Sequence, residues 1–208
     1  NFKTSDYLAR LASPKAIKSI DIEIPKSAKF ARNQFKILSF NTPNIPEKLK
    51  KKFKAVITVN YEFGTCRYHG NVRQSGDQAD HIKLLYGGTV TQSLDVRLKT
   101  GNILNAINFK LLLPETRNGA AEIFATTLLR NLGFLAPETF EVNVSVNGVR
   151  GLKVFQEKAQ KEKLSSLLFQ TFEGIKEKIL QKRAREFTKL EEASTRYKQL
   201  VKEKELLY

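Results

Sequence analysis

A chain of 208 residues is enough for one domain and a helical extension, but it is short for two full-sized domains. Hydrophobic residues make up 41% of it and aromatic residues 10%, so it can bury a core, which excludes a disordered or collagen-like chain. Its 36 lysines and arginines outnumber 21 acidic residues. The resulting net charge of +15 predicts attraction to polyanions: nucleic acid, nucleotides, phosphorylated ligands or an anionic membrane face.

Cysteine and histidine are too scarce for several kinds of site. The single cysteine, Cys66, excludes an intrachain disulfide and a cysteine-built metal centre, and His69 and His81 are the only histidines. No apolar run reaches the ~20 residues that span a bilayer. The chain has no methionine and begins at Asn1, so we expect a processed product or a fragment, and the sequence assigns no compartment.

Residues 1–53 are predicted to form an N-terminal extension. A cap at Ser5 or Asp6 indicates a short helix that ends at Leu11, and alternating isoleucines over residues 20–24 predict a strand that ends at Pro25. Five lysines then fall within the seven residues 48–54. This run is typical either of a nucleic-acid contact or of a solvated basic face that leads into a strand.

The middle of the chain is predicted to be mostly strands. Alternation predicts a strand over residues 55–61, and the segment from Arg67 to His81 is interpreted as a turn or functional loop. Within that loop, Asp77 and Asp80 beside His81 allow a metal or general-base role, but ordinary turn chemistry explains the same residues. Further strands are predicted over residues 82–86, 94–98 and 107–113.

After Pro114 the period of the pattern changes to that of a helix. Ile123, Leu128, Leu129 and Leu132 share one helical face, and Gly133 occupies a helix C-terminal position. Residues 140–146 and 149–155 then alternate as two strands around Asn147-Gly148, a strong hairpin signal. We therefore predict an α+β fold over residues 54–157, a mainly antiparallel twisted sheet with one packed helix, in the element order of a protein-kinase small lobe.

Residues 158–208 have apolar residues at roughly 3.5-residue spacing, which predicts basic amphipathic helices with a break near Gly174. These helices can pack on the sheet domain, pair with a partner or begin a larger lobe. Lys182 and Arg183 interrupt the apolar seam, which disfavours a coiled coil.

The order of several motifs resembles the spore coat protein H family of atypical kinases over about residues 55–157. The segments that carry the resemblance are Arg73 with Ser75-Gly76-Asp77 and Asp80-His81, Ser93 to Lys99, Phe109-Lys110-Leu111, Pro114 to Gly119 with Glu122, Leu129-Arg130, Leu132-Gly133-Phe134, Ala136-Pro137, Val144, Val146-Asn147-Gly148 and Phe155-Gln156-Glu157. The resemblance implies a protein that binds ATP with Mg²⁺ and transfers a phosphoryl group to a protein substrate.

The same resemblance implies a set of nucleotide-binding residues. Lys110 would contact the phosphates, Glu122 on the helix would orient it, and Glu157 would lie at the hinge beside adenine. The resemblance also implies that Arg73 and Arg97 would contact phosphate. Each has a structural alternative: an exposed strand cation for the basic residues, stabilisation of a helix N-terminus for Glu122, and a structural side chain for Glu157.

The departures from a kinase pattern predict that this chain does not turn over ATP. It has no GxGxxG loop and no HRD-like or DFG-like tripeptide, and its last aspartate is Asp95. We expect nucleotide binding to be weak or absent without a second lobe. A basic nucleic-acid-binding module, which would use the lysine run and the C-terminal helices, and a structural coat or scaffold protein are the alternatives.

Overall fold

The computed structural model describes residues 13–40, 42–158, 177–189, 191–192, 194–196 and 198–199. The chain divides into two compact units, Asn1–Lys158 and Ala159–Tyr208. In the second unit, residues 177–189 are helical, and Ile179, Leu180 and Phe187 are exposed. The predicted helix over residues 5–11 and the predicted break near Gly174 lie outside the described residues.

The first unit alternates strands with two helices in its described part. In chain order the elements are β1 (Ile17–Glu23), α1 (Ser27–Leu38), β2 (Phe53–Tyr61), β3 (Gly64–Gln74), β4 (Ile82–Leu84), β5 (Val90–Gln92), β6 (Leu94–Leu98), β7 (Asn108–Leu112), α2 (Ala120–Asn131), β8 (Thr139–Val146) and β9 (Val149–Glu157). Short 3₁₀ turns occupy Pro14–Ala16, Glu47–Leu49, Ala79–His81 and Pro114–Arg117.

Seven strands of the described residues close into a barrel in the order β1-β2-β3-β6-β7-β9-β8. Neighbouring strands are antiparallel except β1 and β8, which run parallel, with Ile20 opposite Val144 and Ile22 opposite Val146. β4 and β5 form a separate two-stranded sheet. The barrel therefore has no open edge, since each of its strands is paired on both sides.

The predicted open twisted sheet of a kinase small lobe is wrong. The strand that closes the sheet, β1, comes from residues placed before the predicted lobe, and it pairs with β2 on one side and β8 on the other. The parallel β1–β8 pairing joins segments that are more than a hundred residues apart, so no local sequence pattern predicts it.

The predicted packed helix is also wrong, although the helix itself exists as α2. It contacts β8 and the turn Pro114–Arg117, and Thr126 is its one buried residue. Phe124, Leu128 and Leu132 are 69%, 45% and 63% exposed. The physical reason is that the barrel keeps its apolar side chains inside, while outward residues of β8 such as Asn143 are polar, so no apolar outer face receives the helix.

Inward-facing residues of the barrel strands form the main core. Among its fully buried members are Ile20, Ile22, Ile57, Val59, Leu94, Val96, Phe109, Leu111 and Phe155. A smaller cluster of Ile37, Ile45, Ile82 and Val90 lies between α1 and the β4–β5 hairpin. Burial of alternate residues is what the alternating isoleucines, valines and leucines of these strands predicted.

Most of the predicted strands are confirmed, one local prediction failed and one helix was missed. β2, β6 and β7 match their predicted positions, and so do β8 and β9 with the Asn147-Gly148 turn between them. The predicted loop is wrong over residues 67–74, which belong to β3 and pair with both β2 and β6. Helix α1 was not predicted.

Candidate functional site

A groove of about 590 Å³ separates α1 from the start of β2. We call it the basic groove, and its lining residues are Pro25, Lys26, Lys29, Arg32, Asn33, Lys36, Lys51, Lys52, Phe53 and Lys54. Seven of these ten residues are lysine or arginine, and none of them is acidic. The groove therefore gathers positive charge from two segments that are separate in sequence.

The amphipathic sequence of α1 decides which side chains reach the groove. Its apolar face buries Phe30 and Ile37, and the ring of Phe30 packs edge-on against Phe53 with 5.2 Å between the ring centroids. Asn33 Nδ2 donates a hydrogen bond of 2.8 Å to the carbonyl of Leu49, which ties the helix to the segment before β2. The neighbouring helical face then presents its basic residues to the groove.

No carboxylate among the described residues neutralises the seven cations of the basic groove. None forms an ion pair within 4.0 Å with any acidic residue of the described chain. All seven are exposed, so they keep their hydration and remain accessible to a ligand. Cations brought together without counter-charges repel one another, and a bound polyanion relieves that repulsion.

The lysine run that precedes β2 is divided among different roles. Lys51, Lys52 and Lys54 line the basic groove. Lys50 instead forms an ion pair with Asp77 and another of 3.4 Å with Glu47, and its hydrogen bond lowers the pKa of the Asp77 carboxyl. The run is therefore partly the lining of the basic groove and partly a structural contact.

A second groove, of about 570 Å³, lies on the outer face of β3 and β6 and shares Lys52 with the basic groove. We call it the sheet groove. It also contains Arg73, Arg97, Lys99 and Lys158, together with Asp95. Asp95 accepts hydrogen bonds of 3.3 Å from Arg73 and from Lys158. Part of the positive charge of the sheet groove is therefore compensated.

Three of the predicted nucleotide-binding residues lie on this outer face. Strand register places Arg73, Asp95, Lys110 and Gln156 side by side across β3, β6, β7 and β9, and Arg97 belongs to the adjacent row. Arg73 also bonds Glu47 at 3.0 Å. Lys110 makes no ion pair within 4.0 Å of a described carboxylate.

The two predicted glutamates have local partners. Glu122, in the first turn of α2, accepts a hydrogen bond from Gln156 and forms an ion pair of 3.4 Å with Arg117. It therefore does not pair with Lys110. Glu157 is buried at the end of β9, where its carboxylate accepts a 3.4 Å hydrogen bond from the backbone amide of Glu138.

The Asp77, Asp80 and His81 segment has structural contacts in the described chain. His81 is buried, its Nδ1 lies 3.0 Å from Ser93 Oγ, and burial lowers its pKa. Across the described residues, no three histidines, cysteines or acidic residues lie close enough to hold a metal. The turn interpretation explains these contacts without a ligand.

Residues 26–36 are the part of the site that sequence reasoning missed. Lys29, Arg32 and Lys36 recur at helical spacing, and so do Phe30 and Ile37, so two interleaved periods of 3.6 signalled a helix with one apolar and one basic side. The nearby loop signals at Pro25 and Pro43 obscured this pattern.

Within the described ranges, no helix has the length and apolar character that a membrane crossing requires. A comparison of the chain with protein-family models and with curated proteins found no match to either. The candidate function therefore rests on the geometry and charge of the two grooves.

Proposed function

We propose that this protein binds the phosphate backbone of nucleic acid in the basic groove. The observation that carries the proposal is the convergence of seven cations from α1 and the start of β2, which no acidic residue of the described structure pairs with. A phosphate backbone is an extended row of negative charges, and neutralising it with lysine and arginine releases condensed counterions. The free energy of that release favours binding without any base-specific contact.

The helix geometry matches an extended ligand better than a single small anion. Lys29 and Lys36 are seven residues apart on α1, which corresponds to about 10 Å along the helix axis. Lys51, Lys52 and Lys54 face the same groove from its other side. A ligand that contacts both sides must therefore carry several negative charges along its length, as the phosphates of a nucleic-acid strand do.

The test compares two triple variants that remove the same charge. Lys29→Gln/Arg32→Gln/Lys36→Gln neutralises one side of the groove, and Lys15→Gln/Lys18→Gln/Arg150→Gln neutralises three exposed barrel cations outside it. Fluorescence anisotropy with a labelled oligonucleotide is measured over a range of salt concentrations. We expect the groove variant to reduce the slope of log affinity against log salt by about 2, because each phosphate contact on a single strand contributes about 0.7.

The control variant separates a local site from a diffuse charge effect. It should keep nearly the wild-type affinity and slope, since its cations lie elsewhere on the surface. Equal losses in the two variants, or no binding by the wild type even at low salt, would overturn the proposal.

A second candidate function is weak nucleotide binding on the outer face of β3, β6 and β7. What favours it is the placement of Arg97 and Lys110 in adjacent rows around Asp95, together with the kinase-family resemblance of the sequence. Phosphate oxygens would bind the two cations, and Mg²⁺ would bridge the phosphates if it accompanied the nucleotide. Phosphoryl transfer is not part of this candidate, because it depended on the small-lobe fold.

Isothermal titration with ATP, with and without Mg²⁺, tests this candidate in the full chain. Lys110→Met and Arg97→Ala should each weaken nucleotide binding, whereas Lys18→Met, at an exposed site on β1, should not. Wild-type protein that releases no heat with ATP in either condition would eliminate the candidate.

A further inference from the structure

The basic groove has an apolar floor beneath its charged rim. Phe53 lines it and is held from behind by the buried ring of Phe30, and Pro25 adds a second apolar surface. Phe35, also on α1, is 49% exposed but is not among the residues that line the groove. Aromatic surface thus accompanies the cations of the groove.

This combination suits unpaired bases better than paired ones. In a duplex the faces of the bases are stacked on one another, and only the base edges and the backbone are accessible to a protein. In a single strand each base can present its face to an aromatic side chain while the backbone follows a positively charged groove. A ring at the floor of the groove, such as that of Phe53, contributes to binding only in the second case.

We propose that the basic groove binds single-stranded nucleic acid, with phosphates along its lysine and arginine rim and an unpaired base stacked on Phe53. This inference rests on the proposed function and specifies the class of nucleic acid. No base edge is read, so binding tolerates different sequences. An acidic peptide carries the same sign of charge, but its carboxylate side chains offer no aromatic face to the ring of Phe53.

Anisotropy measurements with a labelled thymidine oligonucleotide and a duplex of equal phosphate number test the proposal. Phe53→Leu keeps an apolar contact with Phe30 but removes the ring, and Phe35→Ala removes an exposed ring on α1 that does not line the groove. Phe124→Ala, which removes a ring with 69% exposure on α2, is the matched control. Circular dichroism of each variant verifies that it is folded.

We expect wild-type protein to bind the single strand more tightly than the duplex at the same salt concentration. Phe53→Leu should weaken single-strand binding about fivefold or more, because one stacked base contributes that much affinity or more, whereas Phe35→Ala should bind as the wild type does. The salt slope should be unchanged, since no phosphate contact is lost, and duplex binding and the Phe124→Ala variant should match the wild type.

Three outcomes would overturn the inference, and they differ in what they leave standing. Equal affinity for single strand and duplex, with no effect of Phe53→Leu, leaves backbone binding intact and removes the single-strand specificity. Displacement of the oligonucleotide by polyglutamate at equal charge concentration, again without a ring effect, identifies an acidic protein as the ligand. Binding of neither oligonucleotide removes both proposals.

Discussion

Lys153 is a lysine inside the protein, with 2% of its surface exposed. Its ammonium group donates hydrogen bonds to Thr91 Oγ1 at 2.7 Å and to the carbonyl of Gln92 at 2.9 Å, both on β5. Burial lowers its pKa to about 8, and the charge of Glu115 opposes that shift only in part. The side chain therefore links β9 to the β4–β5 hairpin at the cost of a poorly hydrated charge.

We expect the free energy of unfolding to rise with pH through the window that Lys153 defines. Its pKa is about 8 in the folded state and 10.5 in the unfolded chain, so between these values the unfolded state binds more protons. Below pH 8 both states are protonated and the unfavourable contribution is constant. Between pH 8 and 10.5 the wild type should gain about 3 kcal/mol relative to Lys153→Met, measured by urea unfolding.

A matched variant distinguishes this effect from general alkaline titration. Lys18→Met removes a lysine at an exposed position of β1, so its stability should follow the wild type across the same window. If Lys153→Met and the wild type show parallel pH profiles, the buried ammonium is not the source of the dependence.

At the scale of elements, the β8–β9 hairpin does more than reverse the chain. Asn147 and Gly148 both have positive φ, at +47° and +87°, as a two-residue hairpin turn requires. Asn147 also contacts the end of β1. Its side-chain Oδ1 accepts a 2.7 Å hydrogen bond from the backbone amide of Ile24, and its own backbone amide donates a 2.9 Å hydrogen bond to the carbonyl of Ile22. The turn residue thus fastens the parallel β1–β8 pair.

Asn147→Ala should reduce the free energy of unfolding by about 1–3 kcal/mol, because alanine is strained at positive φ and leaves the Ile24 amide without its acceptor. Denaturant unfolding measures the change. Asn147→Asp keeps both the tolerance of positive φ and an acceptor oxygen, so it should stay close to the wild type. Similar losses in the two variants would contradict a role for the Oδ1 contact.

On the scale of the whole molecule, closure of the barrel has a direct experimental signature. Residues 19–22 of β1 are paired with β2 on one side and with β8 on the other. Hydrogen exchange followed by mass spectrometry should therefore show β1 amides protected to the same degree as those of β2. Residues 82–92, whose two short strands pair only with each other in the described structure, should exchange faster and serve as the internal reference.

An open sheet would give a different exchange pattern. β1 and β8 would then be edge strands, and the amides that point away from their single neighbour would exchange quickly. Rapid exchange in both strands would contradict the closed barrel, while rapid exchange in the β4–β5 hairpin alone would agree with it.

Local sequence patterns predicted the parts of this fold that depend on neighbouring residues. Alternation identified β2, β7, β8 and β9, and Asn147-Gly148 identified their hairpin, because side-chain direction along a strand has a period of two. The same reasoning failed for β3, since Arg67, His69 and Arg73 face outward and their polarity resembled a loop. It also failed for α2, whose apolar residues indicated a buried face that the barrel does not provide.

The amino-acid sequence by itself determined the excess of positive charge, most of the strands and the strongest turn, because each follows from composition or from short-range periodicity. Only the tertiary structure decided that the sheet closes, since the contact between Ile24 and Asn147 spans 123 positions. It also decided which cations are available to a ligand. Lys50 forms an ion pair with Asp77, whereas Lys51 and Lys52 line the basic groove. Lys29 and Lys36 line the same groove from α1, because the fold places this helix beside the start of β2.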